Sequence, residues 1–217
     1  MLAALFSCQA AEIAPGQYVV ENNSLARTLS IADGKLRTVK ILNKLSGATI
    51  ALTNAAEFRL RLSQGTDKPE TAVTLTSSDF QVLETAPHKN GLTFTLTNSV
   101  QRLGVEVSYE LATNDFFMRK RIAIVSGKAV TLERIDVEEL EIADAYQPYT
   151  TREITSKAPG KWNPGLGQPL YTSNSATFWG IEFPAADNQV KNGSLYAGYF
   201  WGRTIQPGQP YQTYSAV

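Results

Sequence analysis

Apolar and polar residues alternate with a period of two along most of this 217-residue chain, which is the pattern of β-strands that bury one face. Phe58, Leu60 and Leu62 alternate with charged residues, and the same spacing recurs over 92–97 and 105–111. No long stretch carries the i, i+3, i+4 apolar spacing and caps of an amphipathic helix. The chain is therefore predicted to be all-β. Further strands are predicted over 17–21, 25–31, 36–42, 72–76, 117–125, 130–142, 177–183 and 195–201.

The predicted strands are separated by turn signals such as Asp33-Gly34 and Asn90-Gly91, whose residues tolerate positive φ. Roughly a dozen strands are more than one flat sheet holds, so we predict two antiparallel sheets stacked about 10 Å apart. Within 130–142 the apolar residues change parity between Leu132 and Ile135. That change predicts either a β-bulge or a strand that is buried on both faces.

Composition excludes several classes of function. Lys and Arg number 20, against 20 Asp and Glu, so no positive surplus favours nucleic acid as a partner. The chain has one His, His88, in a predicted turn, and one Cys, Cys8. A His/Cys metal site and an internal disulfide are therefore excluded, and we predict neither a metal nor another cofactor. The turn position of His88 also argues against a role in catalysis.

The two ends of the chain also carry signals. Residues 1–16 contain a short apolar run and then small residues, which predicts a signal-peptide remnant, a lipoprotein signal that retains Cys8, or a disordered N-terminus. No later segment has the about 18–20 apolar residues that span a bilayer. We therefore predict a secreted or periplasmic protein, with lipid anchoring through Cys8 as one alternative. The apolar, strand-like end at 214–217 predicts that a longer parent protein continues after Val217.

Acidic residues provide two candidate catalytic sites. On an extended strand, Asp136 and Glu138 would point the same way about 7 Å apart, a separation that suits paired carboxyl groups in glycoside hydrolysis. Acids on the solvent face of a strand have the same spacing, and we favour that interpretation. Glu182 lies between Trp179 and Phe183, where burial could keep a carboxyl protonated. A structural carboxylate bonded to Arg or to backbone amides is the favoured alternative there.

The chain after about residue 145 is rich in aromatic residues and contains all three Trp. Aromatic rings beside amides and carboxylates are typical of carbohydrate-binding sites, because the C–H face of a sugar packs on the ring. Trp162, in the Gly- and Pro-rich segment 157–169, is the best candidate for an exposed platform. Packing of these rings in the core is the open alternative. The candidate carbohydrate-binding residues are Trp162, Trp179, Glu182, Asp187, Asn188 and Trp201.

The runs 167–171 and 178–188 resemble the N-terminal β-supersandwich domain of α-galactosidase (melibiase)-like glycoside hydrolases. The likeness extends loosely over 17–217 and includes 119–141. It implies a galactose mutarotase-like, two-sheet antiparallel β-supersandwich that precedes a catalytic (β/α)8 barrel carrying both catalytic Asp residues. Strands and helices do not alternate in this chain, so neither catalytic carboxylate can be assigned to one of its residues.

We therefore predict a single sandwich domain over 17–217, truncated before a catalytic barrel that belongs to the same parent protein. The predicted function is that of a non-catalytic accessory domain of a glycoside hydrolase in carbohydrate degradation, with carbohydrate and the barrel as partners. One alternative is a free-standing carbohydrate-binding module. Another is an aldose epimerase-like enzyme that uses Glu182, which would require a concave pocket with a second acid or base.

Overall fold

The computed structural model describes residues 9–52, 56–63, 72–142, 146–148, 166–172, 175–191 and 193–217. Within these ranges the backbone forms strands and one 3-10 helix, Ser77–Asp79, and no helix there could cross a membrane. The strands are β1 (Gln9–Ala14), β2 (Gln17–Glu21), β3 (Leu25–Ala32), β4 (Lys35–Asn43), β5 (Ala48–Ala51), β6 (Arg59–Ser63), β7 (Val73–Thr76), β8 (Gln81–His88), β9 (Gly91–Asn98), β10 (Leu103–Glu110), β11 (Arg119–Ser126), β12 (Val130–Glu141), β13 (Tyr146–Pro148), β14 (Leu170–Thr172), β15 (Thr177–Trp179), β16 (Gln189–Lys191), β17 (Ser194–Ile205) and β18 (Tyr211–Gln212).

These strands lie in three five-stranded sheets and one three-stranded sheet. The first sheet has the order β1-β2-β3-β4-β5, the second β18-β11-β10-β9-β8, the third β16-β17-β12-β6-β7, and the small sheet β13-β14-β15. The paired strands are antiparallel, and the predicted all-β sandwich class is confirmed. The described strands nevertheless form four hydrogen-bonded sheets where two were predicted. The third sheet joins strands distant in sequence, a pairing that periodicity alone does not reveal.

Individual strands agree with the predictions where one face is buried. The strand predicted over 17–21 is β2, whereas the one predicted over 177–183 ends at Trp179. Residues 9–14, assigned above to a leader or a disordered N-terminus, form β1 and pair with β2. Cys8 lies outside the described residues.

The alternation did not predict β8, because most of the residues of this strand are exposed. His88 ends the strand and is exposed, as its predicted turn position indicated.

The hydrophobic core includes buried apolar residues from all three large sheets. Phe58 and Phe80 meet edge to face with ring centroids 5.2 Å apart, and Phe94 and Tyr109 do so at 6.1 Å. Such pairs add about 0.5–1.5 kcal/mol beyond the burial of their area. Other fully buried side chains are Leu29, Leu60, Leu96, Val107, Ile122, Leu132 and Ile135.

The central strand β12 confirms the expected irregularity. Its pairing with β17 shifts register between Leu132 and Arg134 and again between Asp136 and Glu138. Residues 135–140 are all buried, so this part of the strand is covered on both faces. The placement of its acids on a solvent face was therefore wrong: Asp136 is 2% exposed and Glu138 is 3% exposed. Bulges allow consecutive side chains to enter the protein in different directions.

Candidate functional site

Four charged side chains from separate parts of the chain form a buried ionic network. Arg27 on β3 binds both oxygens of Glu138 on β12, with Nη1–Oε2 at 2.6 Å and Nη2–Oε1 at 3.0 Å. Its Nη2 also donates to Glu57 Oε2 at 2.9 Å. Lys120 on β11 binds the same two acids, at 3.0 Å to Glu57 Oε2 and 2.9 Å to Glu138 Oε1. Two cations and two carboxylates therefore balance, with no side chain more than 5% exposed.

Tyr109 and Thr38 complete the surroundings of this network. Arg27 Nε donates to Thr38 Oγ1 at 2.8 Å, and the guanidinium lies 4.8 Å from the centre of the Tyr109 ring. The Tyr109 hydroxyl donates to Glu57 Oε2. Burial opposes ionisation of Glu57, but Lys120 and Arg27 outweigh that effect and lower its pKa to about 2. Burial and the adjacent Glu57 raise the pKa of Tyr109 well above its usual value. Glu57 is therefore ionised and Tyr109 neutral at pH 7.

The acids Asp136 and Glu138 join different groups of charges. Asp136 accepts a hydrogen bond from Arg134 Nε at 2.8 Å, and Arg134 also binds the Asp187 carboxylate. Glu138 instead belongs to the buried network. Burial raises the pKa of Asp136 although Arg134 opposes that effect. Because Asp136 binds Arg134 whereas Glu138 binds Arg27, the two acids belong to separate ion pairs and do not form the coupled pair of carboxyl groups that is typical of glycoside hydrolysis.

Glu182 forms a surface ion pair with Arg119. Arg119 Nε lies 3.1 Å from Oε1 and 3.0 Å from Oε2, and Nη2 lies 3.0 Å from Oε1. These hydrogen bonds lower the pKa of Glu182, with partial burial as a smaller opposing effect. The carboxyl is therefore ionised at neutral pH, as in the structural alternative, and does not have the raised pKa that a general acid would need.

Replacing Glu182 with glutamine is expected to lower the free energy of unfolding by less than about 1 kcal/mol, because its side chain is 38% exposed and surface pairs contribute little. Urea denaturation at pH 7 measures the change. Glu21→Gln is the matched control, since Glu21 pairs with Lys44 at 2.8 Å on the surface. A loss of several kcal/mol in Glu182→Gln alone would contradict the prediction.

The remaining candidate binding residues do not form one open platform among the described residues. Trp179 is buried, at 8% exposed. Trp201 is half-buried and packs on Tyr211, with ring centroids 4.9 Å apart. Asn188 is buried, and its Nδ2 donates to Gln168 O at 2.8 Å. Trp162 lies outside the described residues, so its role as an exposed platform stays a prediction.

A cavity of about 260 Å³ opens beside the ionic network. Arg27, Lys120 and Glu138 line it together with two aromatic residues, Phe178 and Trp179, of which Phe178 is 48% exposed. Of the predicted binding residues that the structure describes, Trp179 lines the cavity, whereas Glu182, Asp187, Asn188 and Trp201 do not. The cavity combines buried charges with aromatic walls, which is the mixture of polar and apolar groups found in small-molecule sites.

The sequence does carry a signal for this network. Arg27 has the same strand parity as Leu25 and Leu29, and Lys120 has the parity of Ile122. A charged residue in a buried-face position predicts a buried ion pair, because an isolated charge would be too unfavourable there. For Glu57 the pattern was misleading, because its alternation with Phe58 predicts an exposed position on a strand, whereas Glu57 lies before β6 and is fully buried.

Comparison with known proteins gives a likeness of fold. No protein-family model matches this chain, and no curated protein matches it by sequence. Among solved structures, the chain is similar to the crystal structure of the GH36 α-galactosidase AgaB from Geobacillus stearothermophilus, with a TM-score of 0.57 and 10% sequence identity. The match covers 96% of this chain and 40% of that chain. This chain therefore spans about two fifths of the α-galactosidase and shares the fold of one part of it.

Proposed function

We propose that this chain is a non-catalytic β-sandwich domain of a glycoside hydrolase that degrades α-galactosides or related glycans, and that it packs on the catalytic domain of its parent protein. The observation that carries the proposal is the fold likeness to the α-galactosidase, which covers 96% of this chain but only 40% of the enzyme. A part of that size is consistent with one domain in a larger enzyme.

The ion pairs of the candidate catalytic acids support a non-catalytic role. A glycoside hydrolase needs one carboxyl that donates a proton and a second that acts as base or nucleophile. In the described part of the chain, the candidate acids Asp136, Glu138 and Glu182 are each bound by at least one arginine. Arginines therefore bind all three carboxylates, which supports the proposal that the catalytic carboxyl groups belong to another domain.

Incubation of the purified chain with p-nitrophenyl α-D-galactopyranoside tests the proposal directly. We expect no release of p-nitrophenol above that of buffer, measured by absorbance. Release that disappears in Glu182→Gln or Asp136→Asn would show that the chain itself is catalytic and would overturn the proposal.

Two further observations separate the alternatives. The accessory role predicts that the coding sequence after Val217 continues into a (β/α)8 domain, and a stop codon there would contradict it. An aldose epimerase would instead accelerate the mutarotation of D-galactose, which polarimetry follows. We expect the rate with the purified chain to equal the rate in buffer.

A further inference from the structure

The cavity beside the ionic network has the size of a site for one small ring. Its volume is about 260 Å³, slightly below the about 300–1,000 Å³ of typical ligand pockets. Its lining comes from different elements: Ile41 from β4, Lys120 from β11, and Trp179 from β15. Because these elements belong to three separate sheets, the walls are fixed by the fold rather than by a single loop.

The polar side of the cavity retains unused hydrogen-bonding capacity. Arg27 has five N–H groups, and four of them bind Thr38, Glu57 and Glu138. The second hydrogen of Nη1 has no acceptor among the residues that the structure describes. Glu138 Oε2 accepts one hydrogen bond there, from Arg27. Ser24 also lines the cavity, and within the same residues its hydroxyl makes no hydrogen bond.

The paired charges that line the cavity favour a neutral ligand over an ionic one. Arg27 and Lys120 are already neutralised by Glu57 and Glu138 at distances of 2.6–3.0 Å. An anionic ligand would have to compete with these two carboxylates for the cationic side chains. A cationic ligand would have to displace the Arg27 and Lys120 side chains from the carboxylates. A hydroxyl group is suited to the site, because it can donate to a carboxylate oxygen and accept from an N–H at once.

Three aromatic rings also line the cavity. Phe178 is 48% exposed and Phe116 is 71% exposed, while Trp179 is buried. Exposed aromatic rings beside hydrogen-bonding groups favour a ligand that has a C–H face and several hydroxyls. A purely apolar ligand would leave the free donors of Ser24 and Arg27 without partners, which is unfavourable.

We propose that this cavity is a binding site for a neutral monosaccharide. The sugar hydroxyls bind Ser24 Oγ, Arg27 Nη1 and Glu138 Oε2, and the C–H face of the ring packs on Phe178. The site is separate from Glu182 and from Asp187 and Asn188. It goes beyond the accessory role, because it requires neither catalysis nor a partner domain.

Methionine NMR tests the site with an internal control. The chain has two methionines, Met1 and Met118, and Met118 lines the cavity. In protein with ¹³C-labelled methionine methyl groups, we titrate D-galactose and D-glucose separately to about 100 mM, a hundredfold above a Kd of about 1 mM. We expect at least one sugar to shift the Met118 signal saturably while the Met1 signal stays in place.

Two matched pairs of variants then test whether the sugar contacts Ser24 and Phe178. Ser24→Ala is expected to weaken binding about three- to tenfold, the effect of one lost hydrogen bond. Its control, Ser30→Ala on β3, changes a serine that does not line the cavity and is expected to leave binding unchanged. Phe178→Ala is expected to weaken binding by a similar factor. Its control is Phe200→Ala, which changes a phenylalanine that is 63% exposed and does not line the cavity.

Three results would overturn the sugar site. These are no saturable shift of Met118 with either sugar, a shift that Ser24→Ala and Phe178→Ala leave unchanged, and binding of benzyl alcohol alone, which would mark an apolar anchor site. Failure of the accessory role gives a different result, the release of p-nitrophenol, so the two proposals can fail independently.

Discussion

Replacing Glu57 with glutamine is expected to lower the free energy of unfolding by about 3–5 kcal/mol at pH 7, because removing one partner leaves an uncompensated buried charge. Glu57 is fully buried and binds Arg27, Lys120 and Tyr109. Without its charge, the two cations retain only Glu138. Urea denaturation measures the change, with Glu182→Gln as the surface control that should lose less than about 1 kcal/mol.

The difference in unfolding free energy between the wild-type protein and Glu57→Gln is expected to depend on pH. The pKa of Glu57 falls from 4.5 to about 2 on folding. A lowered pKa in the folded state stabilises the protein above pH 4.5, and that contribution is lost as the pH falls toward 2. The difference between wild type and Glu57→Gln should therefore be constant from pH 7 to 5 and shrink by about 2 kcal/mol at pH 3. A difference that does not change with pH would mean that glutamine acts through packing alone.

Replacing Gly198 with alanine is expected to destabilise the protein by about 3 kcal/mol, because an added methyl group has no room between β17 and β12. An ideal Cβ at Gly198 would lie 2.8 Å from Asp136 Cα and closer still to the Ile135 carbonyl oxygen. These are backbone neighbours beside the bulge of the central strand, so relief requires the two strands to separate.

Gly180→Ala is the control for this prediction. Its added Cβ would meet Pro169 Cβ at 3.4 Å and Asn188 Nδ2 at 3.5 Å, which are ordinary contacts. We expect a change within about 1 kcal/mol, measured by the midpoint of urea denaturation. Equal losses in the two variants would show that backbone freedom, rather than the close approach at Gly198, determines the effect.

The fold class could be predicted from the sequence because half-buried strands alternate, and the 17–21 and 130–142 predictions follow the observed strands closely. The change of parity inside 130–142 even predicted the bulges. The division into sheets could not be predicted. Strand β12 pairs with β6 and β17, and such pairings depend on contacts between distant segments, which alternation within each strand does not encode.

The candidate site was predicted less well than the fold. The aromatic-rich pattern after residue 145 predicts Trp179, which lines the cavity, but it does not indicate the charged residues Arg27, Lys120 and Glu138 that line the cavity with it. Arg27 and Lys120 were detectable as charges in buried-face positions. The sequence predicts Glu138 on the solvent face of a strand, whereas its burial depends on the bulge and on the covering sheets.

The ionic network has a consequence for folding during synthesis. Arg27 and Glu138 are separated by 111 residues, and Lys120 and Glu57 by 63. A nascent chain that has emerged only as far as β11 holds both cations but one carboxylate, so closing the core at that stage would trap a positive charge away from water. On the ribosome, the first and second sheets must therefore stay partly hydrated until Glu138 emerges. Slow, late cooperative closure is also what such distant contacts favour.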